Sequence, residues 1–279
     1  KAIFIESVSN PSNVIGDIEA IAEIARDAGI PLIVDNTMAT PYLFKPIDYG
    51  ADIVLHSTTK YLNGHGNSMG GVIVESGKFN WAQNDKFPSM TTPDDAYHGL
   101  TFYETFGDFG FTMRVRAVAL RDFGPALSPT NAFMTLTGIE TLPLRMARHC
   151  ANAHTVATFL EDHPADAWVS YAGLRSSPSL KNKNRYFPNG SGGVFTFGLK
   201  GGYEAGTRLV ESCTLLSHLA NVGDPRSLIL HPASTTHRQL TEDQQIAAGA
   251  GPDVVRISVG IETAEDIIRD LDQALGWAN

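Results

Sequence analysis

The chain alternates short, continuous apolar runs with amphipathic segments. Ala2–Val8, Pro31–Val34, Ala51–Leu55 and Gly70–Glu75 are strand-length runs with little polar alternation. Between the first two, Asp17–Ala28 carries Ile18, Ile21, Ala22, Ile24, Ala25 and Ala28 at helical spacing, and Gly29 stops it. Tyr42–Gly50 reads as a short connection. Strands that are apolar throughout, separated in part by helices, predict a mostly parallel sheet covered on both faces. In such sheets ligands bind beyond the carboxyl ends of the strands.

The middle of the chain is less regular. Trp81–Gly99 is polar and contains Pro88, Pro93 and Gly99, which suggests an excursion from the sheet. Phe102–Phe123 is expected to hold a helix with Arg114, Arg116 and Arg121 on it. Asn131–Leu160 predicts a long helix weakened by Gly138 and Pro143. Beyond it, Gly193–Leu199 and Val254–Gly260 read as strands, and Tyr203–Ser212 and Leu215–Ala220 as partly helical. Thr263-Ala264-Glu265-Asp266 opens a last helix with a capping-box-like pattern. The expected division is residues 1–145, part of a large domain, and 146–279, a smaller domain. The chain starts at Lys1 and enters a strand at once, so it is expected to be the C-terminal part of a longer polypeptide. There is no internal repeat.

Bulk properties narrow the function. Of 279 residues, 43% are hydrophobic and 18% charged, and the formal net charge is −9 with no Lys/Arg run, which argues against nucleic acid or an anionic membrane as partner. The apolar runs are far shorter than a membrane span. Two cysteines, Cys150 and Cys213, make no disulfide framework, so a reducing cytoplasm is the default location. The nine histidines show no tight metal-ligand spacing, and no metal is expected.

The chemistry concentrates at two strand ends. Asp52-Ile53-Val54-Leu55-His56 runs into Ser57-Thr58-Thr59-Lys60, and Pro31-Leu32-Ile33-Val34 ends in Asp35. Taken singly, a lysine after a strand is usually a surface group, an Asp there usually a turn former, and Ser or Thr usually bonds its own backbone. Together they supply what pyridoxal 5′-phosphate (PLP) needs: Lys60 for a Schiff base, Asp35 for the pyridinium nitrogen, and Ser57 and Thr59 for the phosphate. Arg256 lies inside the apolar run Val254–Gly260, either as a structural ion pair or as a fork for a substrate carboxylate. Gly64–Gly71 is glycine-rich but precedes a strand, the reverse of a dinucleotide-binding loop, so a nicotinamide cofactor is disfavoured.

Four motifs carry a resemblance. Glu6-Ser7-Val8-Ser9-Asn10-Pro11, Val34-Asp35-Asn36-Thr37, His56-Ser57-Thr58-Thr59-Lys60-Tyr61 and Val255-Arg256-Ile257-Ser258-Val259-Gly260-Ile261-Glu262 resemble the successive signatures of the Cys/Met-metabolism PLP enzymes. Asn10, Asp35 and Lys60 are evenly spaced at positions 10, 35 and 60. Pro93–Gly99, Ala126–Phe133, Gly138–Leu142, Asn221–Asp224 and His231–His237 are similar to the O-acetylhomoserine sulfhydrylase branch.

The resemblance implies a type I, aspartate-aminotransferase-like fold: a mostly parallel sheet with helices on both faces, plus a smaller α/β C-terminal domain. It implies that Lys60 holds PLP, Asp35 binds the ring nitrogen, and Ser57 and Thr59 bind phosphate. Asn10 and Arg256 would hold the substrate carboxylate or the ring oxygen, with Ser227 nearby. The family's ring-stacking aromatic, glycine-rich phosphate turn and partner-subunit Tyr/Arg pair belong to its amino-terminal third, which this sequence does not contain. The implied reaction joins an amino-acid ester, O-acetylhomoserine, with sulfide to give homocysteine and acetate, in a homotetramer built as a dimer of dimers. Sister reactions on the same scaffold stay open: methionine γ-lyase, cystathionine γ-synthase or O-succinylhomoserine sulfhydrylase. More remote is an inactive fragment that serves in assembly.

Overall fold

The computed structural model describes residues 1–278. Its first sheet has four strands in the order β1 (Ile3–Glu6), β2 (Leu32–Asp35), β3 (Ile53–Ser57) and β4 (Gly71–Glu75). The first three are parallel, and their register sets Glu6 beside Asp35 and Asp35 beside Leu55. Helix Ile18–Asp27 makes the crossover from β1 to β2. Asp17 caps it, accepting the Ala20 N–H at 3.3 Å, and Ile18, Ala22 and Ala25 are buried along it. Gly29, at φ 59°, turns the chain out of it.

β4 runs antiparallel to β3, whereas the sequence pattern suggested another parallel strand. The reason lies in the connection. A parallel return needs a crossover of a dozen or more residues, usually helical. Between Ser57 and Gly71 there is only one wide turn, Thr58–Leu62, and a glycine-rich loop.

The second sheet is ordered β5 (Asp166–Ser170), β6 (Val194–Leu199), β9 (Val254–Ser258), β8 (Leu228–Leu230), β7 (Ser217–His218). It is antiparallel except between β7 and β8. All six residues of β6 are buried. Helices Leu142–Glu161, Gly202–Ser212 and Ala264–Ala278 cover it. Leu215–Ala220, expected to be partly helical, instead contains β7.

The helix expected within Phe102–Phe123 is present: helical backbone runs without interruption from Gly110 to Phe123, widened by one π segment at Val115–Leu120, and carries Arg114, Arg116 and Arg121, while Gly107, at φ 53°, separates it from the short helix Phe102–Phe106. The polar stretch before it is packed rather than loose, because Trp81, Phe87, Met90 and Phe102 form a buried cluster with Ile53. Asn131–Leu160 divides into helices Pro129–Glu140 and Leu142–Glu161, with Pro143 in the first turn of the second, where its missing N–H costs nothing. The second helix joins both cores. Leu142, Met146 and Cys150 pack under the first sheet, and Ala153, Val156, Ala157 and Leu160 under the second.

Gly138 is where helix propensity gives the wrong sign. Propensity alone would make Gly138→Ala stabilising by about 1 kcal/mol. An added Cβ, however, would overlap the Asn63 carbonyl oxygen. Overpacking against backbone outweighs propensity, and thermal melts of Gly138→Ala are expected to show a net loss of about 1–3 kcal/mol.

His149, on Leu142–Glu161, is 0% exposed, and Nδ1 donates to Val259 O at 2.7 Å. Burial depresses its pKa to about 4. The unfolded chain therefore binds the extra proton between the unfolded value of 6.5 and about 4, while the folded chain does not. Stability present above that window is lost as pH falls through it, by at most about 1.4 kcal/mol per pH unit from this group. Burial lowers His56 and His231 in the same direction. Denaturant melts between pH 4 and 7 should accordingly be less pH-dependent in His149→Gln than in the wild type.

Among the described residues no helix is long and apolar enough to cross a membrane, and no cluster of three or more His, Cys, Asp or Glu could hold a metal ion.

Candidate active site

The site is built where β1, β2 and β3 end. After Ser57 the chain enters the wide turn Thr58–Leu62, closed by Asn63 N–H to Thr58 O at 3.0 Å and Gly64 N–H to Lys60 O at 2.7 Å. Lys60 leaves helical geometry within it, at φ −92° and ψ −131°. At the neighbouring strand end, Thr37 N–H donates to Asp35 Oδ1 at 2.9 Å, and Ser57 N–H donates to Thr37 Oγ1 at 2.8 Å. Those two bonds lock the carboxylate and the lysine turn into one frame.

Asn10, Asp35, Ser57 and Lys60 line a single cavity together with Glu6 and Thr37, with Val8, Met38 and Val222 as apolar walls. Lys60 Nζ donates to Asn221 Oδ1 at 2.7 Å. Burial lowers the Lys60 pKa and the positive charge of Arg256 lowers it further, so the amine gives up its proton more readily than a surface lysine. Arg256 reaches in from β9: Nη1 donates to Asn10 Oδ1 at 3.4 Å and Nη2 to Asn221 O at 3.3 Å. Among the described residues no carboxylate pairs with it. The structural ion pair that the sequence left open thus has no partner among the described residues.

Two expected residues stand elsewhere. Ser227 is fully buried: its N–H and Oγ donate to Glu262 at 2.6 and 3.0 Å, and Oγ accepts Gly260 N–H at 2.9 Å. It braces the ends of β8 and β9 rather than lining the cavity. The residue this loop sends to Lys60 is Asn221. Gly223, at a positive φ of 75° and so near Tyr61 N that an added Cβ would lie at 2.6 Å, lets this loop press onto the lysine turn. Thr59 Oγ1 accepts Gly70 N–H at 3.1 Å and sits outside the cavity lining, whereas Ser57 Oγ has no hydrogen-bond partner among the described residues.

Glu6 is the second site residue that the sequence reading passed over. Its Oε2 accepts the Asn10 N–H at 3.0 Å, and the register places it beside Asp35. Burial raises its pKa, the Asn10 bond offsets part of the rise, and the Asp35 charge adds to it.

This donor set fits PLP. A half-buried lysine with a lowered pKa shares this site with a carboxylate, a hydroxyl and a guanidinium that, among the described residues, keep an oxygen, a hydroxyl and a positive charge unpaired. The fold and the site thus define an aspartate-aminotransferase-like α/β scaffold with a half-buried lysine in a cavity at the strand ends. The family model described as "Cys/Met metabolism PLP-dependent enzyme" matches residues 1–276. The chain belongs to that family, and PLP is its cofactor. It is 48% identical to O-acetyl-L-homoserine sulfhydrylase of Leptospira meyeri, over 99% of this chain and 64% of that protein. It is 50% identical to homocysteine synthase of Schizosaccharomyces pombe, over 99% of this chain and 65% of that one. A crystal structure of a Campylobacter jejuni protein, provisionally named an O-acetylhomoserine (thiol)-lyase and holding N′-pyridoxyl-lysine-5′-monophosphate, superposes with a TM-score of 0.95 at 41% identity, over 99% of this chain and 66% of that one. The chain thus spans just under two thirds of the length of these curated relatives.

Proposed function

We propose that the protein at its native length catalyses γ-replacement on O-acetyl-L-homoserine, with sulfide as the incoming nucleophile, giving L-homocysteine and acetate. The observation that carries this reading is Lys60 in one cavity with Asp35, beside a guanidinium that has no carboxylate partner among the described residues. The names of the relatives favour the sulfhydrylase reaction over the sister reactions. The enzyme would work in the cytoplasm as a homotetramer.

The residues divide the work as follows. Arg256 binds the substrate α-carboxylate, the anion its planar fork suits, with Asn10 at its side. Lys60, the cofactor lysine, would take one proton from substrate Cα and one from Cβ, so that acetate leaves Cγ, and would return both once sulfide has added at Cγ, a general acid–base role that its lowered pKa favours. Asn221 holds Nζ at the cavity between those transfers. Asp35 keeps a proton on the cofactor's ring nitrogen, and Ser57 donates to its phosphate. Thr59 supports that end from its bond to Gly70. Bound PLP supplies an electron sink for the carbanion at Cα.

The test uses PLP-loaded protein of native length and O-acetylhomoserine. Acetate release that depends on sulfide, with homocysteine formed in equal amount, is expected. Acetate release without sulfide, accompanied by ammonia and a keto acid, would move the assignment to a γ-lyase. Indifference to O-acetylhomoserine alongside turnover of O-succinylhomoserine would change the substrate.

A further inference from the structure

Arg145 is 6% exposed, and every bond it makes goes to a neutral oxygen. Nη1 donates to Tyr61 O at 2.8 Å, Nη2 to Gly138 O at 2.6 Å and Leu62 O at 3.5 Å, and Nε to Thr141 Oγ1 at 3.1 Å. Among the described residues it has no carboxylate partner, and burial lowers its pKa. A buried cation without a counter-ion is costly, and an apolar side chain of similar volume could fill the space at lower cost. What an apolar side chain could not do is direct several donors at chosen carbonyls.

Those carbonyls are informative. Tyr61 and Leu62 follow Lys60 directly, in the last part of the wide turn, where a cation is favoured as it is at a helix C-terminus. Gly138 O belongs to the end of helix Pro129–Glu140. Two glycines make the approach possible from either side. A Cβ on Gly64, at φ 71°, would overlap Arg145 Nη1, and a Cβ on Gly138 would overlap Asn63 O. One guanidinium therefore pins the turn that carries Lys60 to the helix pair behind it. Lysine has a flexible four-carbon stem, so the position of Nζ depends on how firmly the base of that stem is held. Asn221 fixes the tip.

We propose that Arg145 is a positioning residue for Lys60, acting by clamping the carbonyls of the lysine turn. The proposal rests on Lys60 being the cofactor lysine. Wild-type protein of native length that takes up no PLP would refute that reading itself. Wild-type uptake combined with unaltered Arg145 variants would refute the clamp alone.

The test compares PLP-loaded wild type with Arg145→Lys, Arg145→Met and Gly64→Ala, and with Asp270→Asn as a control. Asp270 accepts three backbone N–H groups at Thr214, Leu215 and Leu216, far from the lysine turn, so its loss lowers stability without touching that turn. PLP release to a scavenger and the visible circular dichroism per bound cofactor are measured alongside Tm. In the three clamp variants release is expected to be about tenfold faster or more, from the loss of a charge-assisted bond, with a smaller visible ellipticity. The control should lose Tm and keep both signals. Arg145 variants that lose Tm yet match the wild type in release and ellipticity would overturn the proposal. A wild-type measurement covers variants that fail to fold: the Asn63 and Gly64 amides should exchange hydrogen only at the rate of global unfolding. Exchange about a hundredfold faster than that limit would show an unclamped turn and overturn it equally.

Discussion

In Lys60→Ala the borohydride-fixed pyridoxyl adduct is expected to disappear from the peptide containing residue 60, and turnover of O-acetylhomoserine, on the proposed function, to fall by about 10⁴-fold. The magnitude follows from the two roles placed on one amine: the covalent hold on the cofactor and the proton transfers at Cα and Cβ. No neighbour can stand in for it. Asn221, which accepts from Nζ, has no titratable proton, and Arg256 lies in the same site but stays protonated. The fold should survive, because Lys60 is only half-buried and its side chain bonds to Asn221 alone. Added primary amines of small volume are expected to restore part of the proton transfer but none of the adduct. A Lys60→Ala protein with wild-type turnover would sink the mechanism. An adduct that persisted on another lysine would move the site.

What the sequence disclosed, and what it hid, follows from the range of the interactions. β1, β2 and β3 were legible because each is written as an apolar run without polar alternation, even though only β2 and β3 are largely buried and Phe4 of β1 is exposed. Asp35 and Lys60 were legible because each ends such a run, where parallel sheets place their ligands. The direction of β4 was hidden, since residue types carry no direction and only the short link after Leu62 did. The break between helices Pro129–Glu140 and Leu142–Glu161 was half visible. Pro143 marked it, but Gly138 read as a weakness, when it is an opening for the Asn63 carbonyl and, through the same turn, for Arg145. Asn221 was hidden most completely. It meets Lys60 across 161 positions of sequence, in a loop without periodicity, and only tertiary packing brings it there. Ser227 drew attention as a hydroxyl near the right motif, yet its Oγ is spent on Glu262 and Gly260. Among the hydroxyls beside Lys60, the sequence could not tell that Thr59 is tied to Gly70 while Ser57 is not.

Asp35→Asn is expected to lower turnover by about 10²–10³-fold while leaving Tm close to wild type. The exchange is nearly isosteric, and the asparagine Oδ1 can still accept the Thr37 N–H that holds Asp35 now. What changes is the other end of the side chain. A carboxylate keeps a proton on the ring nitrogen, whereas an amide offers a second donor and drives that proton off, which weakens the electron sink. The residual activity depends on Glu6. It stands beside Asp35 in register, and its carboxyl is held high partly by the Asp35 charge. Removing that charge takes away one of the causes that raise the Glu6 pKa, so the anionic form of Glu6 is favoured in the cavity it shares with residue 35. Adding Glu6→Gln to Asp35→Asn should therefore cost more than Glu6→Gln costs alone, a non-additive result measurable in a double-mutant cycle on kcat. Strict additivity would show that Glu6 serves only to hold Asn10, and full activity in Asp35→Asn would remove Asp35 from the chemistry altogether.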